Sequence, residues 1–418
     1  MSGSLPPARR RRRLAAAGAA VGLALPGVAL TAAVPTAVLA FPTIATTVVP
    51  TAAHAAPSPL SLVDKTEKLG PGVELRHLKR LTADGWADLQ ILTADLSNDT
   101  VSADLLAGDT VTETGAISKK ADKAGAVAGV NGDFFDIGNS GAPHGASIRN
   151  GQLLKSAMPT DWQHVGVGQD GIGRLMNLAL DAKATLDGTE HEVARLNAPG
   201  SINGQVLPGK LAAYTPMWGT FDRSRALSGN RAEVLVRDGK VAAIDPTAVG
   251  AGEIPADGFY LVGDDAAADV LRALEVGDDA SLAYGLADDV AKQARFAIGH
   301  NSVLVEGGVA RPGLDSTVHP RTIMGFKDGG STIMLVTADG RQAPVNGLTG
   351  QQQADLMVEL GADLAVNLDG GGSTTMVARP LGALNTTVRN SPSDGYERPD
   401  PNGVGIFVAP GTGKLDDI

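Results

Sequence analysis

The sequence predicts an α+β fold: mixed β-sheets with a few flanking helices, pseudo-repeated helix–strand units and a β-rich insertion. Three observations carry this. Apolar and polar residues alternate in short runs punctuated by turn pairs, the period of strands. Clear helix start and stop signals are scarce. Where they occur, at 114–125 and 349–361, the chain continues in each case into a short apolar run ending Asn-x-Asp.

The elements follow in chain order. Arg9–Arg13 form a basic cluster, Leu14–Val49 is rich in Ala, Val and Leu, and Ala53-His54-Ala55 is a small-x-small triplet. That order reads as an export signal, Sec or twin-Arg, spanning residues 1–55 and cleaved before Ala56. An uncleaved anchor is the alternative, but Pro26, Pro35, Pro42 and Pro50 interrupt any single spanning helix. The product is then secreted or envelope-associated, with no stable membrane span after processing. Residues 56–418 read as one large domain.

From Glu74 to Leu106 the chain reads as strands: Leu92, Ala94 and Leu96 alternate with polar residues, and Asn98-Asp99 makes a turn. Thr114–Ala124 reads as a helix stopped by Gly125. Residues from about 160 to 297 read as short strands with turns such as Asp238-Gly239, a β-rich accessory region. Val303–Val309, Ile323–Phe326, Ser331–Thr337 and Gly403–Val408 read as further strands. Thr349 and Gln352 make a capping box for a helix over Gly350–Leu360, which Gly361 stops.

Composition limits the chemistry. There are no cysteines, which excludes thiol catalysis, Cys-based zinc sites and disulfides. Of 35 Lys+Arg, five stand in Arg9–Arg13; the remaining 30 face 46 Asp+Glu, a net charge of −16 beyond the signal. Such a body lacks the cations that nucleic-acid binding requires, so no nucleic-acid partner is expected. Glycine supplies 53 of 418 residues, enough for many tight turns and close backbone approaches.

The most informative feature is the internal echo. Gly125–Asp133 aligns without gaps on Gly361–Asp369. Residues two apart on a strand share a face, so Asn131 pairs with Asp133 and Asn367 with Asp369 at two strand–loop junctions. Asn and Asp are also ordinary turn residues, but equal spacing in both copies favours a shared site. Gly370, Gly371 and Gly372 follow the second copy, letting backbone approach a ligand and offer N–H groups to an anion. Arg321, Arg341 and Arg398 stand near other strand ends, and their planar guanidinium forks suit phosphate oxygens. Two carboxylates beside an anion nest suit cleavage of a glycosidic bond to phosphate. His144, after the first Asp loop, reads equally as a turn residue or a substrate contact. Gly204–Lys210 begins like a P-loop, but Leu211 replaces the hydroxyl residue that would bind magnesium.

Val130-Asn131-Gly132-Asp133-Phe134-Phe135, His319-Pro320-Arg321-Thr322, Asp339-Gly340-Arg341 and Asn367-Leu368-Asp369-Gly370-Gly371-Gly372-Ser373-Thr374 resemble the motifs of the phosphodiester glycosidase family and its bacterial exopolysaccharide-biosynthesis-type relatives. The resemblance runs from about Glu74 to Val408. It departs at Ser391, where Arg is expected, and at His300-Asn301, which replaces a Gly-rich pair. It implies a secreted hydrolase acting on the glycosidic bond of a sugar-1-phosphodiester in a glycan or cell-envelope polymer. It also implies a catalytic set of Asp369, Asp133, Arg321 and Arg341. Substrate would be bound by Asn131, His144, His319, Asp339, Asn367, Gly370–Gly372, Ser373, Thr374 and Arg398. Asp369 is the favoured base or nucleophile because glycines give a sugar room beside it, although the two aspartates could exchange roles. No cofactor is required by the motifs; a divalent cation among Asp133, Asp339 and Asp369 is left open. The rivals are a non-catalytic carbohydrate-binding or exopolysaccharide-assembly protein and a metal-dependent phosphodiesterase cutting P–O.

Overall fold

Two antiparallel sheets frame the site, and their sequences explain why they face one another. The computed structural model describes residues 60–82, 85–157, 163–199, 201–202, 205–206, 210–224 and 230–409. The export signal expected over residues 1–55 lies outside the described residues. Residues Pro57–Ile418 form one compact unit.

The larger sheet has eight antiparallel strands in the order Ser61–Gly70, Val73–Thr82, Gly85–Asp95, Thr332–Ala338, Arg321–Lys327, Leu364–Asn367, Ser302–Glu306 and Val309–Ala310. The smaller has five, also antiparallel: Thr387–Val388, Met376–Ala378, Ala128–Asn131, Asn402–Val408 and Val101–Ala107. Leu92, Ala94, Met324, Leu335 and Val366 of the first share a core with Ala103, Leu105, Val130, Val404 and Ile406 of the second. Alternation puts a second apolar row on the far face of the larger sheet. Leu89, Ile91, Ile323 and Val336 there pack with Ala354 and Met357 of a helix over Gly350–Glu359. On the far face of the smaller sheet, Leu106 and Val377 meet Ile117 and Ala121 of a helix over Ile117–Ala124. The layers therefore run helix, sheet, sheet, helix, an arrangement in which each element buries an apolar face.

Two further sheets extend this frame. A five-stranded antiparallel sheet pairs Gln152–Lys155, Ser147–Arg149, Ala294–Ile298, Gln163–Gly168 and Gly173–Asn177. A seven-stranded sheet is built from residues 180–286 and contains one parallel pair, Thr189–Leu196 with Leu211–Tyr214. The region around 160–297 is thus rich in strands, with one short α-helix among its described residues, at Ala266–Arg272. Its Val165, Val167, Tyr214, Trp218 and Phe296 join the main core. The fold is α+β in the broad sense but dominated by strands, with three α-helices among the described residues.

Both expected helices form. Gly125 adopts a left-handed conformation, φ 79°, and ends the first. The Thr349 hydroxyl accepts from Gln352 N at 3.2 Å, and the Gln352 side chain accepts from Thr349 N at 2.8 Å, completing the capping box of the second. The run Val303–Val309, read as one strand, is instead a hairpin. Gly307 and Gly308 turn the chain with φ 59° and 76°, conformations that favour glycine, between Ser302–Glu306 and Val309–Ala310.

Thr349→Ala removes the cap acceptor and is expected to cost about 1 kcal/mol of stability, read as a lowered urea midpoint with an unchanged slope. A loss below a few tenths of that would mean that tertiary packing alone fixes the start of this helix.

Candidate active site

The echo copies lie on different sheets and meet at the seam between them. Leu364–Asn367 ends on the larger sheet; the chain crosses through Leu368–Thr375 and enters the smaller sheet at Met376. Asn131 ends the neighbouring strand of the smaller sheet. Asp369 N donates to Gly132 O at 2.9 Å, which ties the two copies together directly.

Asn131 makes the seam. It has no exposed surface. Its Nδ2 donates to Asp369 O at 2.7 Å, and its Oδ1 accepts from Thr322 Oγ1 at 2.7 Å and Thr375 N at 3.1 Å. The equivalent Asn367 is used differently. Its Nδ2 donates to Asn301 Oδ1 at 2.8 Å, whereas its Oδ1 has no hydrogen-bond partner among the described residues.

A cavity of about 400 Å³ opens beside this seam. Nine of the residues expected at the site line it: His319, Arg321, Arg341, Asn367, Asp369, Gly370, Gly371, Gly372 and Arg398. Phe134, Asn301, Asp315 and Pro320 complete the wall. Asn131, Asp133, His144, Asp339, Ser373 and Thr374 stand behind it or away from it.

Asp369 is half-buried at the cavity wall. Its Oδ2 accepts from Ser373 Oγ at 2.6 Å and its Oδ1 from Gly370 N at 2.9 Å. Burial pushes its carboxyl up to about 6, against the pull of Ser373, the Arg398 charge and Gly370 N–H. Asp133 is enclosed instead. Only 3% exposed, it accepts from Gly145 N at 2.7 Å, and its carboxylate lies so close to Gly145 and Gly299 that neither position has room for a Cβ. Asp339 accepts from Ser391 N and Asn390 Nδ2, each at 3.0 Å, and so holds the closing loop. Burial pushes it up to about 6 as well. Thr374 is buried with its hydroxyl unpartnered among the described residues. His144 N donates to Phe134 O at 2.7 Å; burial and the nearby Lys155 lower the pKa of its ring.

The arginines are already engaged. Arg321 Nε donates to Leu348 O at 2.9 Å and its Nη2 to Asp315 Oδ2 at 2.8 Å and Thr317 O at 2.5 Å. This guanidinium holds Asp315 far below the usual carboxylate range. Arg398 pairs with Asp394 through Nε at 3.0 Å and Nη2 at 2.8 Å, while its Nη1 reaches Ser373 Oγ at 3.3 Å. Any Cβ on Gly372 would collide with that pair, so glycine is required for Arg398 to lie over the loop. Arg341 is exposed, with Nη2 3.3 Å from His319 Nδ1. Its φ of 57° is unusual for a residue with a side chain. Burial and the charges of Arg321 and Arg341 lower the pKa of His319. Among the described residues no group of three or more His, Asp or Glu could hold a metal ion, and Asp133, Asp339 and Asp369 form no such group.

One buried carboxylate escaped the sequence reading. Asp400, 2% exposed, feels the charges of Asp369 and Arg398, and burial pushes its carboxyl up to about 8. Between two prolines at the head of a strand it carries no spacing signal. Asp315 was equally silent, and Asn301 stood out only as a departure from the family's motif; tertiary pairing with Arg321 and Asn367 brings them to the wall.

These features define a β-rich protein with an acidic group, a glycine loop and three arginines around one cavity. Residues 230–407 match the sequence model of the phosphodiester glycosidase family, which bears out the resemblance carried by the motifs. The match takes in the Arg321, Arg341, Asp369 and Arg398 blocks but not Asn131–Asp133. No curated protein matches. Among solved structures, a hypothetical protein from Synechocystis is similar with a TM-score of 0.67 and 20% identity, over 83% of this chain and 64% of that one. The present chain thus spans less than two thirds of that protein's length. A protein of Burkholderia pseudomallei K96243, described as exported, is similar with a TM-score of 0.60 and 24% identity, over 78% and 74%. At these identities the likeness is one of fold. The catalytic domain of zebrafish N-acetylglucosamine-1-phosphodiester α-N-acetylglucosaminidase, auto-inhibited by its pro-peptide, aligns over 83% and 88% at 14% identity and a TM-score of 0.42. Among the described residues no helix is long and apolar enough to cross a membrane.

Asn131→Ala strands three buried partners at the seam. At about 1–3 kcal/mol for each unsatisfied buried group, the variant is expected to lose at least about 3 kcal/mol in urea unfolding. A loss under about 1 kcal/mol would show that the sheets hold the seam without this amide.

Proposed function

We propose that this chain is a hydrolase that cleaves the glycosidic bond of a sugar-1-phosphodiester, the substrate being part of a glycan or cell-envelope polymer. The observation that carries the reading is Asp369 at the cavity wall, with the Gly370–Gly372 loop and Arg398 beside it and Arg321 and Arg341 along the same wall.

The chemistry follows from the bond. A phosphodiester is a weakly basic leaving group, so its departure needs its charge held more than it needs a proton. Arg341 is exposed and free to meet a phosphate; Arg398 and Arg321 add charge while remaining paired with Asp394 and Asp315. Charge held where it develops lowers the barrier directly. Asp369 then activates water or attacks the anomeric carbon, and its anion stabilises the oxocarbenium-like transition state. Its pKa of about 6 suits that role, because the group is mostly ionised at neutral pH yet still a competent base. Asp133 does not line the cavity, which supports Asp369 over Asp133 for this step.

The proposed setting is extracellular. The N-terminal signal pattern motivates it, and the likeness in fold to a protein described as exported agrees. N-terminal sequencing of protein recovered from culture medium should read from about Ala56. A membrane-bound product that keeps Arg9–Arg13 would overturn this.

Hydrolysis of a sugar-1-phosphodiester in oxygen-18 water tests the reaction. Label in the free sugar is expected; label in the phosphate would mean a phosphodiesterase cutting P–O. Asp369→Asn should lower kcat by about 10²–10⁴-fold with little change in substrate binding or circular dichroism. Near-normal kcat in the folded variant would remove Asp369 from the mechanism.

A further inference from the structure

The cavity has two unlike ends, and strand order sets them. Neighbouring strands of the larger sheet reach its edge in the order Thr332–Ala338, Arg321–Lys327, Leu364–Asn367 and Ser302–Glu306. Antiparallel pairing puts Ala338 beside Arg321, Ile323 beside Asn367, and Asn367 beside Ser302. Along this edge the chain therefore sets out Arg341, just past Ala338, then Arg321, then Asn367 with Asp369, then Asn301, just before Ser302. Strands lie about 4.8 Å apart, so the row spans about 14 Å. Arg321 and Arg341 stand on one side of Asp369 and Asn301 on the other.

The glycine loop leans to the cationic side. Gly371 N donates to Pro320 O at 2.9 Å, and a Cβ on Gly371 would stand 3.2 Å from the Arg341 guanidinium. Arg398 lies over Gly372 of the same loop. Amides and guanidinium groups thus gather at one end, which suits a phosphate. At the other end the wall is neutral among the described residues. Phe134 belongs to that end, because its neighbour Asp133 packs against Gly299, two residues before Asn301. Burial lowers the His300 ring to about 4, so it adds no charge there.

Asn301 is exposed on this wall, yet fixed. Its main-chain N donates to Asn367 O at 3.2 Å, and its Oδ1 accepts from Asn367 Nδ2 at 2.8 Å and Ser302 Oγ at 3.2 Å. Its Nδ2 makes no hydrogen bond among the described residues. An amide nitrogen carries two protons to donate and accepts nothing.

We propose that Asn301 is a specificity-determining residue: its Nδ2 donates to an acceptor oxygen of an uncharged sugar, which lies at the Asn301–Phe134 end while the phosphate lies at the Arg341–Gly371 end. This rests on the reading of the cavity as a sugar-1-phosphodiester site. The bond to be broken then falls beside Asp369, in the middle of the row. The phenyl ring of Phe134 gives the C–H face of a sugar an apolar surface. The carboxylate of an acidic sugar would find no cation at this end and would meet the charge of Asp369, an unpaired arrangement that costs binding.

The test is calorimetric binding to the full chain, with inorganic phosphate as the probe of the cationic end. The 1-phosphates of glucose, galactose, mannose, N-acetylglucosamine and glucuronic acid probe both ends. Sugar release from the matching methyl phosphodiesters is measured alongside. The best neutral sugar phosphate is expected to bind at least about tenfold tighter than inorganic phosphate, and glucuronic acid 1-phosphate no tighter. Asn301→Asp keeps the acceptor for Asn367 and loses the donor; Asn301→Ala loses both. Each should cut the neutral-sugar gain about fivefold, within the worth of one hydrogen bond. Asn301→Ala should leave the affinity for inorganic phosphate unchanged, whereas Arg341→Ala should weaken phosphate and sugar phosphates alike. Asn301→Lys should raise glucuronic acid 1-phosphate relative to the neutral sugars by about tenfold or more. Circular dichroism confirms that each variant folds. The proposal is overturned by a gain that survives Asn301→Ala, by equal losses of phosphate and sugar phosphate in that variant, by a wild type that favours glucuronic acid, or by no gain over phosphate at all. A gain that depends on Asn301 without sugar release from any methyl phosphodiester would defeat the glycosidase reading and leave the sugar end standing.

Discussion

The site depends on one side-chain amide. Asn131 reaches from the end of a strand in the smaller sheet to a strand of the larger sheet, through Thr322, and to both ends of the crossing loop, through Asp369 O and Thr375 N. A strand pair is held by a ladder of repeated hydrogen bonds. Two sheets packed face to face have no such ladder, and apolar packing does not fix their relative position to a few tenths of an ångström. A buried amide bonded to three groups on both sheets does, because displacement in most directions breaks at least one bond that water cannot replace. The Leu368–Thr375 loop is thereby held at its main chain while the Asp369 carboxylate stays at the cavity wall. Gly370–Gly372 can then sit close to Pro320 and beneath Arg398 without side chains intervening.

Charge balance follows from that placement. Arg321, Arg341 and Arg398 line the cavity, but two of them arrive already paired, with Asp315 and Asp394. Counting Asp369, three cations face three carboxylates. A phosphodiester entering such a site finds no large excess of positive charge. Any further anion behind the wall weighs directly against it, since charges in partly buried surroundings are poorly screened. Burial of Asp339 and Asp369, which raises both, works toward the same balance.

Local rules were legible in the sequence. The Thr349–Gln352 capping box, the Gly125 stop and the alternation of Leu92, Ala94 and Leu96 are interactions within a few residues, and each forms as read. The internal echo was legible in part: its Asn-x-Asp endings meet at the seam, but the shared cavity that it suggested takes in Asp369 and not Asp133. The hairpin at Gly307-Gly308 was missed because two flanking apolar runs look like one when their glycines are counted as strand residues. Asn301, Asp315 and Asp400 reach the site only through tertiary pairing, with Asn367, Arg321 and Gly115 respectively. No periodicity along the chain encodes those encounters.

The echo also shows how equal spacing can lead to unequal chemistry. The first copy continues into Phe134 and Phe135, and its Asp133 is walled in by the backbones of Gly145 and Gly299. Its asparagine is committed to three hydrogen bonds at the seam. The second copy continues into three glycines, which leave Asp369 at the cavity wall, and Asn367 keeps one oxygen unpaired. One copy spends its amide on joining the sheets; the other brings its carboxylate to the cavity wall. The division is what a shared seam requires. If neither asparagine bridged the sheets, nothing would fix the crossing loop. The structural copy is therefore the condition under which the exposed copy can hold its carboxylate in place.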